Sequence, residues 1–164
     1  MTAESAPALQ DLEAFVARAL DGGGDGRYEA ALRGIAASFA AVSATLHSAD
    51  PAAEQLHLVA QLGLPPQLIT LTQQIPFGKG IAGLCAVQRE PVLLCNLQTD
   101  DSGKARPNAK QTGVSGAIAV PVFAPDGGLA GVLGVGKLEE HTYNPEELSV
   151  LAACSARLGR ALSA

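Results

Sequence analysis

The chain has 164 residues, 48% of them apolar and 16% charged, with a formal net charge of −5. That length suits one domain with a substantial core, and low charge with this apolar content is a globular rather than a disordered composition. No Lys/Arg cluster or basic run with interleaved aromatics speaks for nucleic acid, and no apolar run reaches the roughly 18–20 residues that span a bilayer.

From the N-terminus, Leu9, Leu12, Val16, Ala19 and Leu20 recur at helical spacing, and Asp21-Gly22-Gly23-Gly24 ends that helix. A second helix carries Tyr28, Leu32, Ile35, Phe39 and Val42 on one face. Residues 1–24 are expected to form an N-terminal helix and linker, and residues 25–164 the domain proper. Residues 43–48 and 55–62 read as strands joined through Asp50-Pro51. In the second strand Leu56, Leu58, Ala60 and Leu62 alternate with Gln55, His57, Val59 and Gln61, which predicts one inward face and a solvated His57.

Pro65-Pro66 starts a helical turn, residues 80–88 suit a short helix of small residues, and Pro91–Cys95 suits a short buried strand. Gly78, Gly80 and Gly83 match the spacing of a dinucleotide fingerprint, but a Pro-Phe turn precedes them where that fingerprint requires a hydrophobic strand. Asn96 to Ser115 is the most polar and least regular stretch; an irregular segment of that length inside a small domain is a lid, a binding loop or a solvated connection.

Residues 116–139 hold two apolar runs around Pro125-Asp126-Gly127-Gly128, the pattern of a β-hairpin. Ile118, Val120 and Val122 face one way, Ala117, Ala119 and Phe123 the other, so both faces are apolar and the strand is expected to be central. The second strand sets Leu129, Gly131, Leu133 and Val135 against Ala130, Val132 and Gly134. Pro121 has no N–H to give a ladder, which predicts a bulge or a locally unpaired side. Asn144-Pro145-Glu146-Glu147 is a helix start with capping-box spacing. The helix that follows buries Leu148, Leu151, Ser155, Leu158 and Leu162 and leaves a stripe of Val150, Cys154, Arg157 and Ala161 for a partner helix.

The three cysteines are odd in number and irregularly spaced, which argues for a reducing cytoplasm rather than a disulfide scaffold. The acidic start lacks the basic, then apolar pattern of a secretory signal. His47, His57 and His141 are scattered, so neither a metal site nor a cofactor is expected.

Ile75-Pro76, Gly78 to Gly83, Glu90-Pro91-Val92, Ile118 to Val122, Gly131 to Val135 and Tyr143, in that order and spacing, resemble the GAF domain. The resemblance implies an α/β (α+β) fold: a central antiparallel sheet with terminal helices on one face, and small helices with a long loop over a pocket on the other. It also accommodates a proline like Pro121. Carried over by position, the pocket wall would be residues 80–86, Val92–Cys95 and loop 99–112, with Ala117 and Ala119 as its floor. The candidate ligand-binding residues are Cys85, Cys95, Asp100, Ser102, Arg106, Asn108, Lys110, Gln111, Ala117 and Ala119, with Arg106 and Lys110 available to an anionic group.

Cyclic-nucleotide-binding members carry an Asn-Lys pair after the hairpin, where this chain has Gly136-Lys137. Free methionine-(R)-sulfoxide reductases place a nucleophilic cysteine in the loop before the hairpin, and this chain has none between Cys95 and Cys154. No catalytic residue is therefore assigned. The resemblance implies a cytoplasmic sensory and regulatory module for an unidentified small molecule, acting through a signalling partner or a homodimer formed by the terminal helices. A GAF fold used for dimerisation or docking without ligand, and a reductase-like redox enzyme, are the alternatives.

Overall fold

The computed structural model describes residues 6–105 and 107–164. A 3-10 turn at Leu9–Asp11 leads into α1 (Leu12–Asp21), and α2 spans Arg27–Ser38. Then come β1 (Ser43–Asp50), β2 (Gln55–Leu62), α3 (Pro66–Thr72), β3 (Gln74–Pro76), α4 (Gly80–Gln88) and β4 (Val92–Leu94). A loop with a 3-10 turn at Pro107–Thr112 precedes the hairpin of β5 (Gly116–Phe123) and β6 (Leu129–Lys137), and α5 (Pro145–Leu162) closes the chain. The six strands form one antiparallel sheet in the order β3-β2-β1-β6-β5-β4. The hairpin is thus central, as its doubly apolar pattern requires.

One face of the sheet carries the main core. Ala44 and Leu46 of β1, Ile118, Val120 and Val122 of β5, and Leu133 and Val135 of β6 pack there with Leu32 and Ile35 of α2 and Leu151, Cys154 and Leu158 of α5. Leu12 and Val16 of α1 complete the cluster; α1 packs against both α2 and α5. A second cluster on the opposite face joins Leu56, Ile75, Cys85, Val92, Leu129 and Val132. Among the described residues no helix is long and apolar enough to cross a membrane.

Two register shifts redistribute side chains between these faces. Between β1 and β2, Leu46 pairs with Ala60 but His47 pairs with Leu58, leaving Val59 as an extra residue. A one-residue shift turns the following side chains to the other face. Ala60 therefore joins the helix-side core whereas Leu56 joins the opposite cluster; the four apolar residues of β2 do not share one face. Likewise Val122 pairs with Gly131 and Phe123 with Leu129, so Leu129 leaves the face that holds Leu133 and Val135. Pro121 pairs with Val132 of β6, while pairing with β4 stops at Ala119. Its missing N–H meets a ladder that has already ended. Val42, grouped by periodicity with α2, lies beyond that helix, which stops at Ser38.

The start of α5 follows its sequence signal. Asn144 Oδ1 accepts from the Glu147 amide at 2.8 Å, and Glu147 Oε1 accepts from the Asn144 amide at 2.9 Å. Further along, Gly159 is buried against β5, where an added Cβ would overlap the Phe123 carbonyl. That backbone cannot yield without parting helix from sheet. Gly159→Ala is therefore expected to destabilise the fold by about 2–3 kcal/mol, read as a lower urea midpoint with an unchanged slope.

Candidate functional site

The face opposite the main core holds a cavity of about 190 Å³. Its floor is built from aligned rows of the sheet. Ser43 pairs with Gly136, Gly136 with Ala117 and Ala117 with Leu94; one row along, Thr45 pairs with Gly134, Gly134 with Ala119 and Ala119 with Val92. Side chains two apart on a strand share a face, so these small residues stack into a shallow floor. A Cβ on Gly134 would come within 2.5 Å of Thr45 Oγ1, and one on Gly136 within 2.6 Å of Ser43 Oγ. The two glycines keep the floor low.

Three elements roof it: α3 through Leu68, Leu71 and Thr72, the start of α4 through Lys79, Gly80, Ile81 and Ala82, and the loop through Leu97, Ala105, Ala109, Thr112 and Val114. The glycine motif has a structural use here. The Gly78 amide donates to the Gly83 carbonyl at 2.8 Å, Gly78 and Gly80 hold φ of 89° and 67°, and a Cβ at Gly83 would sit 2.6 Å from the Pro76 carbonyl. These glycines fold α4 tightly back on β3. The Gln98 side-chain amide closes the loop, donating to the carbonyls of Lys110 at 3.1 Å and Val114 at 2.7 Å.

Among the described residues of the lining, Ser43 and His47 are the buried polar ones, and His47 is the more deeply buried, with 2% of its surface exposed. Its Nε2 lies 2.8 Å from the Thr72 carbonyl oxygen. A carbonyl only accepts, so Nε2 carries the proton and Nδ1 presents a bare lone pair. Among the described residues that buried Nδ1 has no hydrogen-bond partner, a deficit of about 1–3 kcal/mol. Burial pushes the imidazole below its usual pKa, with His57 adding to the effect against the Thr72 bond.

Of the residues singled out in the sequence, Ala117 and Ala119 line the cavity. Cys85 is buried beside it in the cluster with Leu56 and Ile75. Cys95 is exposed, its Sγ 3.6 Å from Thr142 Oγ1. Asp100 accepts from Ser102 Oγ at 2.7 Å, and Ser102 and Lys110 are exposed. Arg106 lies outside the described residues, as do the side chains of Asn108 and Gln111 on the 3-10 turn. Where the loop is described, Leu97, Ala105, Ala109, Thr112 and Val114 line the cavity. His47, Ser43 and Thr45 were missed, although their alternation with Ala44 and Leu46 marked a polar strand face.

The buried thiols are chemically quiet. Burial raises Cys85 and Cys154 to about 12, far from the thiolate that redox chemistry needs. Cys154, expected on an outward stripe, belongs instead to the core that α1 and α5 share. Lys137 is buried too and donates from Nζ to the Phe39 carbonyl at 2.6 Å, so it ties the hairpin to the end of α2. Among the described residues no group of three His, Cys, Asp or Glu side chains is placed to hold a metal ion.

Two outcomes follow. Iodoacetamide should label Cys95 in the native protein and reach Cys85 and Cys154 only after denaturation, read by peptide mass mapping. The second concerns pH: the unfolded chain takes a proton on His47 near pH 6.5 and the folded chain resists it. The unfolded state then binds more protons, so this contribution is present above pH 6.5 and lost as pH falls below it. Urea midpoints at pH 8 and pH 5.5 should drop more steeply for wild type than for His47→Leu.

A family model described as GAF domain matches residues 27–163, while no curated protein matches the sequence. The fold is similar to the GAF domain of a phosphoenolpyruvate-protein phosphotransferase from Coxiella burnetii, with a TM-score of 0.81 and 19% identity over 94% of this chain and 92% of that one. It is also similar to the free methionine-R-sulfoxide reductase from Neisseria meningitidis, in complex with its substrate, with a TM-score of 0.74 and 18% identity over 95% and 86%. The A. aeolicus nlh2 GAF domain in an inactive state gives a TM-score of 0.74 and 14% identity over 94% and 95%. Such identities speak to fold alone, and with the family match over most of the sequence they place it: the chain belongs to the GAF domain family.

Proposed function

We propose that this chain is a sensory module that binds one small, mostly apolar molecule between the sheet and the roof of α3, α4 and loop 96–115. The observation carrying this reading is the floor of Gly134, Gly136, Ala117 and Ala119 beneath a mostly apolar roof. A core gains stability by filling space, and each buried methylene omitted forgoes about 0.8 kcal/mol. A space left among Leu68, Ile81, Leu97 and Val114 is one that an occupant would stabilise. At about 190 Å³ it is smaller than the roughly 300–1,000 Å³ of drug-sized sites, so the occupant has few heavy atoms.

The family is often used in sensing and signalling, which supports a regulatory over a catalytic reading. The buried, high-pKa Cys85 and Cys154 weigh against a thiol-based reductase. The output would leave through α1 and α5, which pack on each other across the sheet from the cavity, toward a signalling partner or a second copy.

Native mass spectrometry of the chain purified from its own host tests the reading. The expected result is a retained small molecule, lost on denaturation and absent from Ala117→Leu, whose added side chain would fill the floor. That variant should also melt at or above the wild-type temperature, because filling a cavity offsets the lost ligand. No retained mass, together with no thermal shift across a library of small apolar compounds, would overturn it.

A further inference from the structure

His47 is the one polar side chain of the cavity lining that is both almost wholly buried and short of a hydrogen-bond partner among the described residues. Its neighbours decide what it can recognise. Nε2–H is committed to the Thr72 carbonyl, which fixes the ring and leaves Nδ1 as an acceptor. A water would normally satisfy such an atom, but water needs two to four polar partners, and the lining is mostly apolar, with few polar side chains (Ser43, Thr45, Thr72, Lys79 and Thr112) among Leu68, Ile75 and Ala119. A ligand donor suits Nδ1 better, because its apolar body can occupy the aliphatic space while one N–H or O–H reaches the ring.

We infer that His47 is the specificity-determining residue of this pocket, and that the ligand class is a small neutral molecule with an apolar body and one N–H or O–H donor. The inference rests on the cavity being a ligand site, as proposed above. It disfavours carboxylates at this ring: Nδ1 would set its lone pair against theirs, and a mostly apolar lining, with Lys79 its one charged side chain among the described residues, gives an anion little compensation. Discrimination arises from the orphaned acceptor itself. A ligand without a donor leaves it unpaired, and sites built to pair a polar group reject analogues that lack it.

Matched probes test this on the intact chain. Phenol, fluorobenzene and benzoate share a ring, but only phenol carries a neutral donor. Calorimetry should give phenol a Kd about tenfold lower than fluorobenzene, with benzoate weakest, as expected for one buried hydrogen bond. His47→Leu should bind fluorobenzene at least as well as phenol. Because that variant also loses the Thr72 bond, the imidazole ¹⁵N spectrum of wild type supplies a second readout. The Nδ1 resonance, free of a proton, should move upfield with phenol and stay in place with fluorobenzene. If phenol and fluorobenzene bind alike and Nδ1 does not move, the role of His47 is overturned while the cavity stands as a ligand site. If none of the three binds, the ligand class inferred from His47 is overturned, while the cavity as a ligand site is judged separately by the retained mass and the library screen.

Discussion

One hairpin is buried on both faces, and the two faces are filled to opposite degrees. On the helix side β5 and β6 place Ile118, Val120, Val122, Leu133 and Val135. On the other they place Ala117, Ala119, Gly134 and Gly136. Branched side chains make a strand good at packing, and glycine makes it poor. The strands are therefore held from the helix side, through α5 and its close approach at Gly159. That anchorage permits a thin opposite face without loss of the sheet. The cavity depends on this asymmetry, since a larger residue in either floor row would close it.

Much of the architecture was legible because it rests on local signals. The hairpin turn, the capping box and the helical spacing of Leu151, Ser155 and Leu158 each act within a few residues, so sequence distance stands in for spatial distance. Face assignment behaves differently. A period of two carries no memory of a bulge, and Val59 and Ala130 each lie at a register shift that exchanges the faces beyond it. Leu56 and Leu129 were thus grouped with residues that they do not pack beside. Which residue is extra depends on the partner strand, and a single strand's pattern does not contain that.

The site was half legible for a related reason. Small residues at 117 and 119 stand out in an apolar strand, and the cavity floor includes them. In the loop, polar residues drew attention as possible ligands, yet the described lining comes from Leu97, Ala105, Ala109, Thr112 and Val114. Solvent claims the charges of a short covering segment, and burial claims its hydrocarbon. The polar alternation of Ser43, Thr45 and His47 is the inverse case. On an antiparallel sheet such a face ordinarily meets water; here α3 and the loop roof it, so the same pattern marks a polar strip inside the fold. Only the tertiary cover separates those two meanings.

The geometry also bears on how occupancy could reach the surface. The cavity and α5 press on the same two strands from opposite sides, with no loop or flexible linker between them. Sheet backbones are stiff along their ladders, and the Gly159 contact with Phe123 leaves no slack between helix and strand. If the cavity is a ligand site as proposed, a ligand that lifted or flattened the Gly134 and Gly136 rows would act on Leu133 and Val135, which alternate with them and pack beneath α5. The Arg157–Glu13 pair, 3.5 Å apart and partly exposed, spans the seam from α5 to α1. Such a pair contributes little stability by itself, so the seam is held mainly by Leu12, Val16, Cys154 and Leu158. Apolar packing of this kind shifts between discrete arrangements rather than deforming smoothly. A small displacement at the floor would thus emerge at the terminal helices as a choice between packings, a response suited to a binary signal.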